Sequence, residues 1–117
     1  MFWKLRRKCK HTAYKLEADF SFDPIWCNDC GWNLDVEDFP LSDQRQEELS
    51  QWIVEYGEWI DFETDSLKEN GLTLEKQHNE KGMKLFNEVK KELGEEYTII
   101  FVPSTSAQFY KEMEEDF

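Results

Sequence analysis

Between Thr12 and Phe22 the chain alternates. Tyr14, Leu16, Ala18, Phe20 and Phe22 fall on one parity, and Lys15, Glu17, Asp19 and Ser21 fall on the other. A period of two sends successive side chains to opposite faces, which predicts a half-buried strand. Phe2 to Cys9 alternates less cleanly, with Trp3 and Leu5 against Lys4, Arg6 and Lys8. It reads as an edge strand whose lysines discourage edge-to-edge pairing. Asp23-Pro24 ends the second strand.

Beyond residue 40 the period lengthens. Ser42 is a good N-cap, and Leu49, Trp52, Ile53, Tyr56, Trp59 and Ile60 recur every three or four residues, predicting a helix over about 43–60. Its outer face carries Glu47, Glu48, Gln51, Glu55 and Glu58. Residues 61–72 read as an acidic connection, with Ser66-x-x-Glu69 as a single capped turn and Asn70-Gly71 as a turn signal. A second helix capped by Thr73 buries Leu74, His78, Gly82, Leu85, Phe86, Val89 and Leu93, and Gly94 stands where a terminating glycine belongs. Gly82 in mid-helix costs about 1 kcal/mol against alanine, so it marks either a close approach of another element or a kink.

Tyr97–Val102 is an apolar, β-branched run with the composition of a central strand covered on both faces. After Pro103, Phe109, Met113 and Phe117 repeat every four residues, as a short docked helix or an acidic aromatic tail. These elements predict an α+β fold: a small three-stranded, mainly antiparallel sheet packed against two helices, with a metal knuckle between. The expected organisation is one domain over 1–103, with 104–117 as a C-terminal segment.

Charge changes the picture of the surface. The 117 residues hold 14 Lys and Arg against 26 Asp and Glu, a formal net charge of −12. That excess argues against phosphate-backbone binding, which needs clustered cations, and favours a basic partner. The cations gather at the start: Lys4, Arg6, Arg7, Lys8, Lys10 and Lys15 precede any acid. No signal-peptide stretch follows this basic run and no window approaches a membrane span, so the expected location is the cytoplasm.

Three cysteines, two of them in Cys27-Asn28-Asp29-Cys30-Gly31, point to a metal or redox role in a reducing compartment rather than a disulfide. The glycine permits a loop in which two thiolates bind one metal while backbone N–H groups point at sulfur. Cys9 and His11, two apart and therefore on one face of a strand, supply the other two ligands. The expected site is Cys9, His11, Cys27 and Cys30 around a structural Zn2+, with His78 as the rival fourth ligand. Trp26-Cys27-x-x-Cys30 also looks like a thioredoxin motif, but Pro24, Gly31, Asn33 and Asp35 are poor helix surroundings for that chemistry.

Other chemistry is thin. His78 lies on the core stripe of the second helix, and no Walker A, G-x-S-x-G or H-E-x-x-H motif is present. Asp61-x-Glu63-x-Asp65 fails as an EF-hand because Ser66 and Leu72 replace the required glycine and glutamate.

Cys27–Gly31, Pro40-Leu41-Ser42 and Glu92-Leu93-Gly94 before the 97–102 strand together give a chain that resembles short, uncharacterised bacterial proteins with a zinc-ribbon-like knuckle. That resemblance implies one domain and no particular activity. The leading expectation is a non-enzymatic, zinc-stabilised acidic protein engaging a basic protein partner. It would be adaptor-like or, by analogy of size and charge, like the small acidic bacterial immunity proteins that cap basic toxins. The alternatives are a small metal-dependent or hydrolytic enzyme using His78 and nearby acids, and nucleic-acid binding through the basic N-terminal strand.

Overall fold

The computed structural model describes residues 9–115. The predicted edge strand from Phe2 to Cys9, except for Cys9 itself, and the terminal Phe117 lie outside the described residues. The fold is α+β, with three helices, a four-stranded mixed sheet and a separate two-stranded ribbon.

Strand β1 (Ala13–Glu17) lies between β2 (Ile25–Cys27) and β6 (Thr98–Val102), and β3 (Asn33–Leu34) extends the sheet beyond β2 in the order β3-β2-β1-β6. The β1–β2 and β2–β3 pairings are antiparallel, whereas β1 and β6 run parallel, with Leu16 opposite Phe101. Two strands, β2 and β3, come from the knuckle stretch that the sequence presented as loop. Conversely, β1 stops at Glu17 instead of Phe22. The backbone N–H of Glu17 donates to the Pro24 carbonyl at 2.9 Å, and Ser21 adopts a left-handed φ of 61°, so residues 18–23 turn back on themselves.

The predicted central strand is a correction. Among the described residues β6 sits at the sheet edge, and Ile99 is buried while Ile100 is 47% exposed. The central place belongs to β1, whose Leu16 is wholly buried.

Helix α1 (Asp43–Val54) starts where expected, with the Ser42 side chain accepting from the Arg45 N–H. It ends six residues early. Gly57 takes φ 89°, and the space a Cβ would need there is filled by the Phe20 ring. Trp59 and Ile60 remain buried, but Ile60 belongs to β4 (Ile60–Asp61), which pairs with β5 (Ser66–Leu67) in place of the single capped turn.

Helix α2 (Gly71–Leu93) is preceded by Asn70 and closed by Gly94 at φ 80°, whose N–H donates to the Lys90 carbonyl. Its buried face contains His78, Gly82, Leu85, Phe86, Val89 and Leu93, as the spacing predicts. The main core gathers Leu85, Phe86, Val89 and Leu93 with Leu16, Ile25, Leu49, Trp52 and Ile99.

Helix α3 (Ser106–Glu115) docks, but not by the predicted stripe. Phe109 and Met113 are 60% and 40% exposed, while Ala107 is wholly buried and Tyr110 packs on a second cluster with Trp59 and Ile60. Polar contacts set that orientation. Glu75 of α2 accepts from the Ser104 hydroxyl at 2.7 Å and the Ala107 N–H at 2.9 Å. Asn79 exchanges two hydrogen bonds with the Ser104 backbone, at 2.8 and 3.0 Å.

Gly82 is explained by close approach. A Cβ there would lie 2.5 Å from the Trp52 ring and 3.0 Å from Phe101. Gly82→Ala is therefore expected to destabilise the protein by about 1–3 kcal/mol, because overpacking outweighs the roughly 1 kcal/mol gained in helix propensity. Urea denaturation checks this; a stabilised variant would mean the two helices can move apart freely.

Candidate metal centre

Cys27 closes β2, residues 28–30 turn, and β3 follows, so the knuckle is a hairpin tip and no helix opens at Cys30. That removes the helix N-terminus on which the thioredoxin reading depends. The tip is shaped by two backbone bonds, Gly31 N–H to the Cys27 carbonyl and Cys27 N–H to the Trp32 carbonyl, both 2.9 Å. Gly31 takes φ 78° with nothing within 4 Å of where a Cβ would stand. Glycine is needed there for its backbone conformation, not for room.

Cys9 and His11 reach the tip by a different route from the one expected. They lie in irregular chain before β1, not on a strand, and His11 adopts a left-handed φ of 51°. Such a backbone is uncommon outside glycine and is held by its surroundings, often at functional sites. The Asn28 N–H donates to the Ala13 carbonyl at 2.8 Å, tying the segment to the knuckle.

The structure brings together all four residues named from the sequence. The ligand atoms of Cys9, His11, Cys27 and Cys30 lie within 4.8 Å of one another. Cys9 Sγ is 3.7 Å from Cys27 Sγ, and Cys30 Sγ is 3.6 Å from His11 Nδ1. Thiolates at about 2.3 Å and imidazole nitrogen at about 2.0–2.1 Å from a tetrahedral ion would stand about 3.8 Å (S to S) and about 3.6 Å (S to N) apart. The donor set suits one metal ion, and the Cys9–Cys27 and Cys30–His11 separations match that spacing. His78 is excluded from this cluster by its place in the α1–α2 core.

Electrostatics favour thiolate at the buried corner. Burial opposes ionisation of Cys27, but the Cys30 backbone N–H, the His11 side chain and the Asp29 backbone N–H together lower its pKa to about 6. Cys9 moves the other way. Its bond with the His11 backbone favours the thiolate, but burial and the neighbouring Cys27 and Cys30 sulfurs outweigh it and raise the pKa. Cys27 is fully buried, while the other three ligands are partly open to solvent.

His78 is a core residue. Its Nε2 donates to the Trp52 carbonyl at 2.9 Å, its ring stacks on Trp52 at 4.7 Å between centroids, and Trp59 packs edge-on. Nδ1 is buried with no hydrogen-bond partner. The small cavity beside it, about 140 Å³, is lined by Glu55, Glu58 and Lys81 and not by the acids of 61–65. Those acids serve the β4–β5 hairpin: Asp61 accepts from the Glu63 N–H at 3.0 Å, and Asp65 accepts from the Tyr110 hydroxyl at 2.9 Å.

Sequence reasoning passed over Arg45, Glu75 and Asn79. Arg45 donates to Glu92 at 2.6 Å and to Glu48 at 2.9 Å, and stands 3.6 Å from Glu88. Glu92 also accepts from the Ser42 N–H, and that bond, with Arg45, holds its carboxyl below the usual range. A cation amid an acidic helix face was the available signal.

Burial lowers the pKa of His78, against the raising influence of the Trp52 carbonyl, Glu55 and Glu58. The unfolded chain thus binds the His78 proton more readily. The stability this neutral histidine contributes is complete above the ordinary histidine pKa of about 6.5, and is lost as pH falls through it. Urea midpoints should fall from pH 7.5 to 5.5 more steeply in the wild type than in His78→Gln; equal slopes would mean His78 ionises freely in the fold.

Two comparisons bear on the whole chain. A family model described as Serratia CdiI immunity protein-like matches residues 12–104. The matched span holds both sheets, α1, α2, Cys27 and Cys30, and leaves Cys9, His11 and α3 outside. No curated protein matches the chain. Among the described residues no helix is long and apolar enough to cross a membrane.

Proposed function

The chain belongs to the Serratia CdiI immunity protein-like family, and from that premise we propose that it is an immunity-type protein that binds and blocks a partner toxin. The family match over residues 12–104 is the observation that carries this reading. The net charge of −12 supports a toxin with a basic surface, because opposite fields speed encounter and suppress wrong partners. The protein acts without catalysis, in the cytoplasm, as one α+β domain to which α3 is appended.

Cys9, His11, Cys27 and Cys30 hold a structural Zn2+. With four protein ligands no coordination position remains for water, so the ion's chemistry there is cross-linking. This chain's residues use it to fasten the segment before β1 to the β2–β3 tip. That matters because β2 and β3 have only three and two residues, too few to hold the tip in place by pairing alone.

Purified protein is expected to carry close to one equivalent of zinc, lost in Cys30→Ser with a fall in thermal midpoint; a metal-free, folded wild type would end the zinc assignment. For the partner, co-expression with the polypeptide encoded beside this gene should restore growth and yield a complex. Its association rate should fall several-fold or more between low and physiological salt. A complex indifferent to salt would contradict the acidic-surface reading, and absence of protection would contradict the immunity reading.

A further inference from the structure

A groove of about 470 Å³ runs between α1, the 21–24 turn and the short 3-10 turn at Val36–Asp38. Its apolar wall is Val36, Ile53 and Val54, with Phe22 at the rim. Val54 is 75% exposed and Phe22 is 49% exposed, although each sits beside residues that are well packed. Four carboxylates line the same groove, Asp23, Glu37, Asp43 and Glu47, and among the described residues no lysine or arginine does.

What sets these acids apart is their convergence on one apolar wall, while several acids elsewhere on the surface already have partners. Glu48 is paired with Arg45, Glu55 with Lys81, and Asp61 and Asp65 are engaged in the hairpin. Asp23 accepts from the Val36 N–H at 3.0 Å, which fixes it in place, and among the described residues Glu37, Asp43 and Glu47 form no ion pair. An anionic occupant would meet four like charges, and a purely apolar one would desolvate them unpaired. A lysine or arginine side chain meets both demands, because its aliphatic stem lies on apolar surface while its head pairs with carboxylate.

We propose that this groove is the docking site for a cationic segment of the protein partner, an inference that rests on the immunity reading above. Arginine or lysine heads lie among Glu37, Asp43 and Glu47, their stems lie on Ile53 and Val54, and an apolar neighbour packs against Phe22. The 61–69 hairpin, whose Asp61 and Asp65 are internally engaged, is peripheral to it.

The test has two arms. In the first, amide shifts of the full chain are followed during titration with a blocked hexapeptide alternating arginine and leucine, against a glutamate–leucine control. Shifts concentrated at 36–37 and 46–54 with the cationic peptide alone are expected, and Glu37→Lys/Glu47→Lys should weaken binding at least tenfold. Val54→Ser should weaken it less, through loss of apolar surface, and Glu95→Lys/Glu96→Lys should leave it unchanged. Shifts spread evenly over 58–69 and 95–96, or binding indifferent to the groove reversal in a variant with unchanged melting, would overturn the proposal.

In the second arm the toxin is presented to the same variants. Toxin bound as tightly by Glu37→Lys/Glu47→Lys as by wild type overturns the groove assignment while the immunity reading stands. No toxin binding by wild type, with the peptide still localised to the groove, overturns the immunity reading and leaves the cationic-segment site in place.

Discussion

Everything else in this molecule is arranged around the joint between Trp52 and His78. The Trp52 indole donates to the His78 carbonyl, and the His78 imidazole donates to the Trp52 carbonyl, each at 2.9 Å, with the two rings stacked at 10°. Each side chain thus caps the other's backbone while lying face to face with it. Such reciprocity requires α1 and α2 to approach closely, and Gly82, one turn beyond His78, supplies the room. Truncating a buried tryptophan of this kind typically costs about 3–5 kcal/mol, a large part of the stability of a domain this size.

From that joint α2 acts as the spine. Toward its C-terminus Glu88 and Glu92 meet Arg45 and the Ser42 cap, fixing the start of α1. Toward its N-terminus Glu75 and Asn79, one turn apart, receive residues 104–107 and set the angle of α3. Between them Leu85, Phe86 and Val89 cover the sheet through Leu16 and Ile99. The polar contacts therefore orient the elements that the apolar stripe brings together.

What could be read in the sequence follows from how strongly local pattern is enforced. The stripe of α2, its glycine stop and the Ser42 cap are periodic or stereochemical signals that tertiary contacts reinforce, and they were legible. The four-residue cluster at the knuckle was legible too, through donor type and spacing, although the expected strand geometry at Cys9 and His11 gave way to a left-handed turn. Less was written locally about strand rank. The run Tyr97–Val102 has the composition of a central strand, yet among the described residues it pairs with β1 alone, a tertiary choice that its local sequence does not specify. In the same way, α1 ends at Val54, and beyond it Gly57 takes a left-handed φ where the Phe20 ring occupies the position a side chain would need. The docking face of α3 was hidden because Ser104, Asn79 and the buried Glu75 decide it, while Phe109 and Met113 carry the periodic signal.

The distribution of cations shows how one helix can serve stability and also carry the proposed docking face. Arg45 is the sole cation within α1, and it is turned inward against Glu48, Glu88 and Glu92. The remaining lysines near the α1–α2 joint are on α2, where Lys81 meets Glu55. The N-terminal half of α1 is thereby left with Asp43 and Glu47 uncompensated, beside Glu37 and next to exposed Val54 and Phe22. Self-repulsion of such acids disfavours the compact state only mildly at physiological ionic strength, where exposed charges farther apart than about 8 Å are largely screened. The same charges, once desolvated by a partner, interact far more strongly because the effective dielectric falls. A surface of this kind costs little in the free protein and is selective when covered, which is what the proposed docking of a cationic partner segment requires.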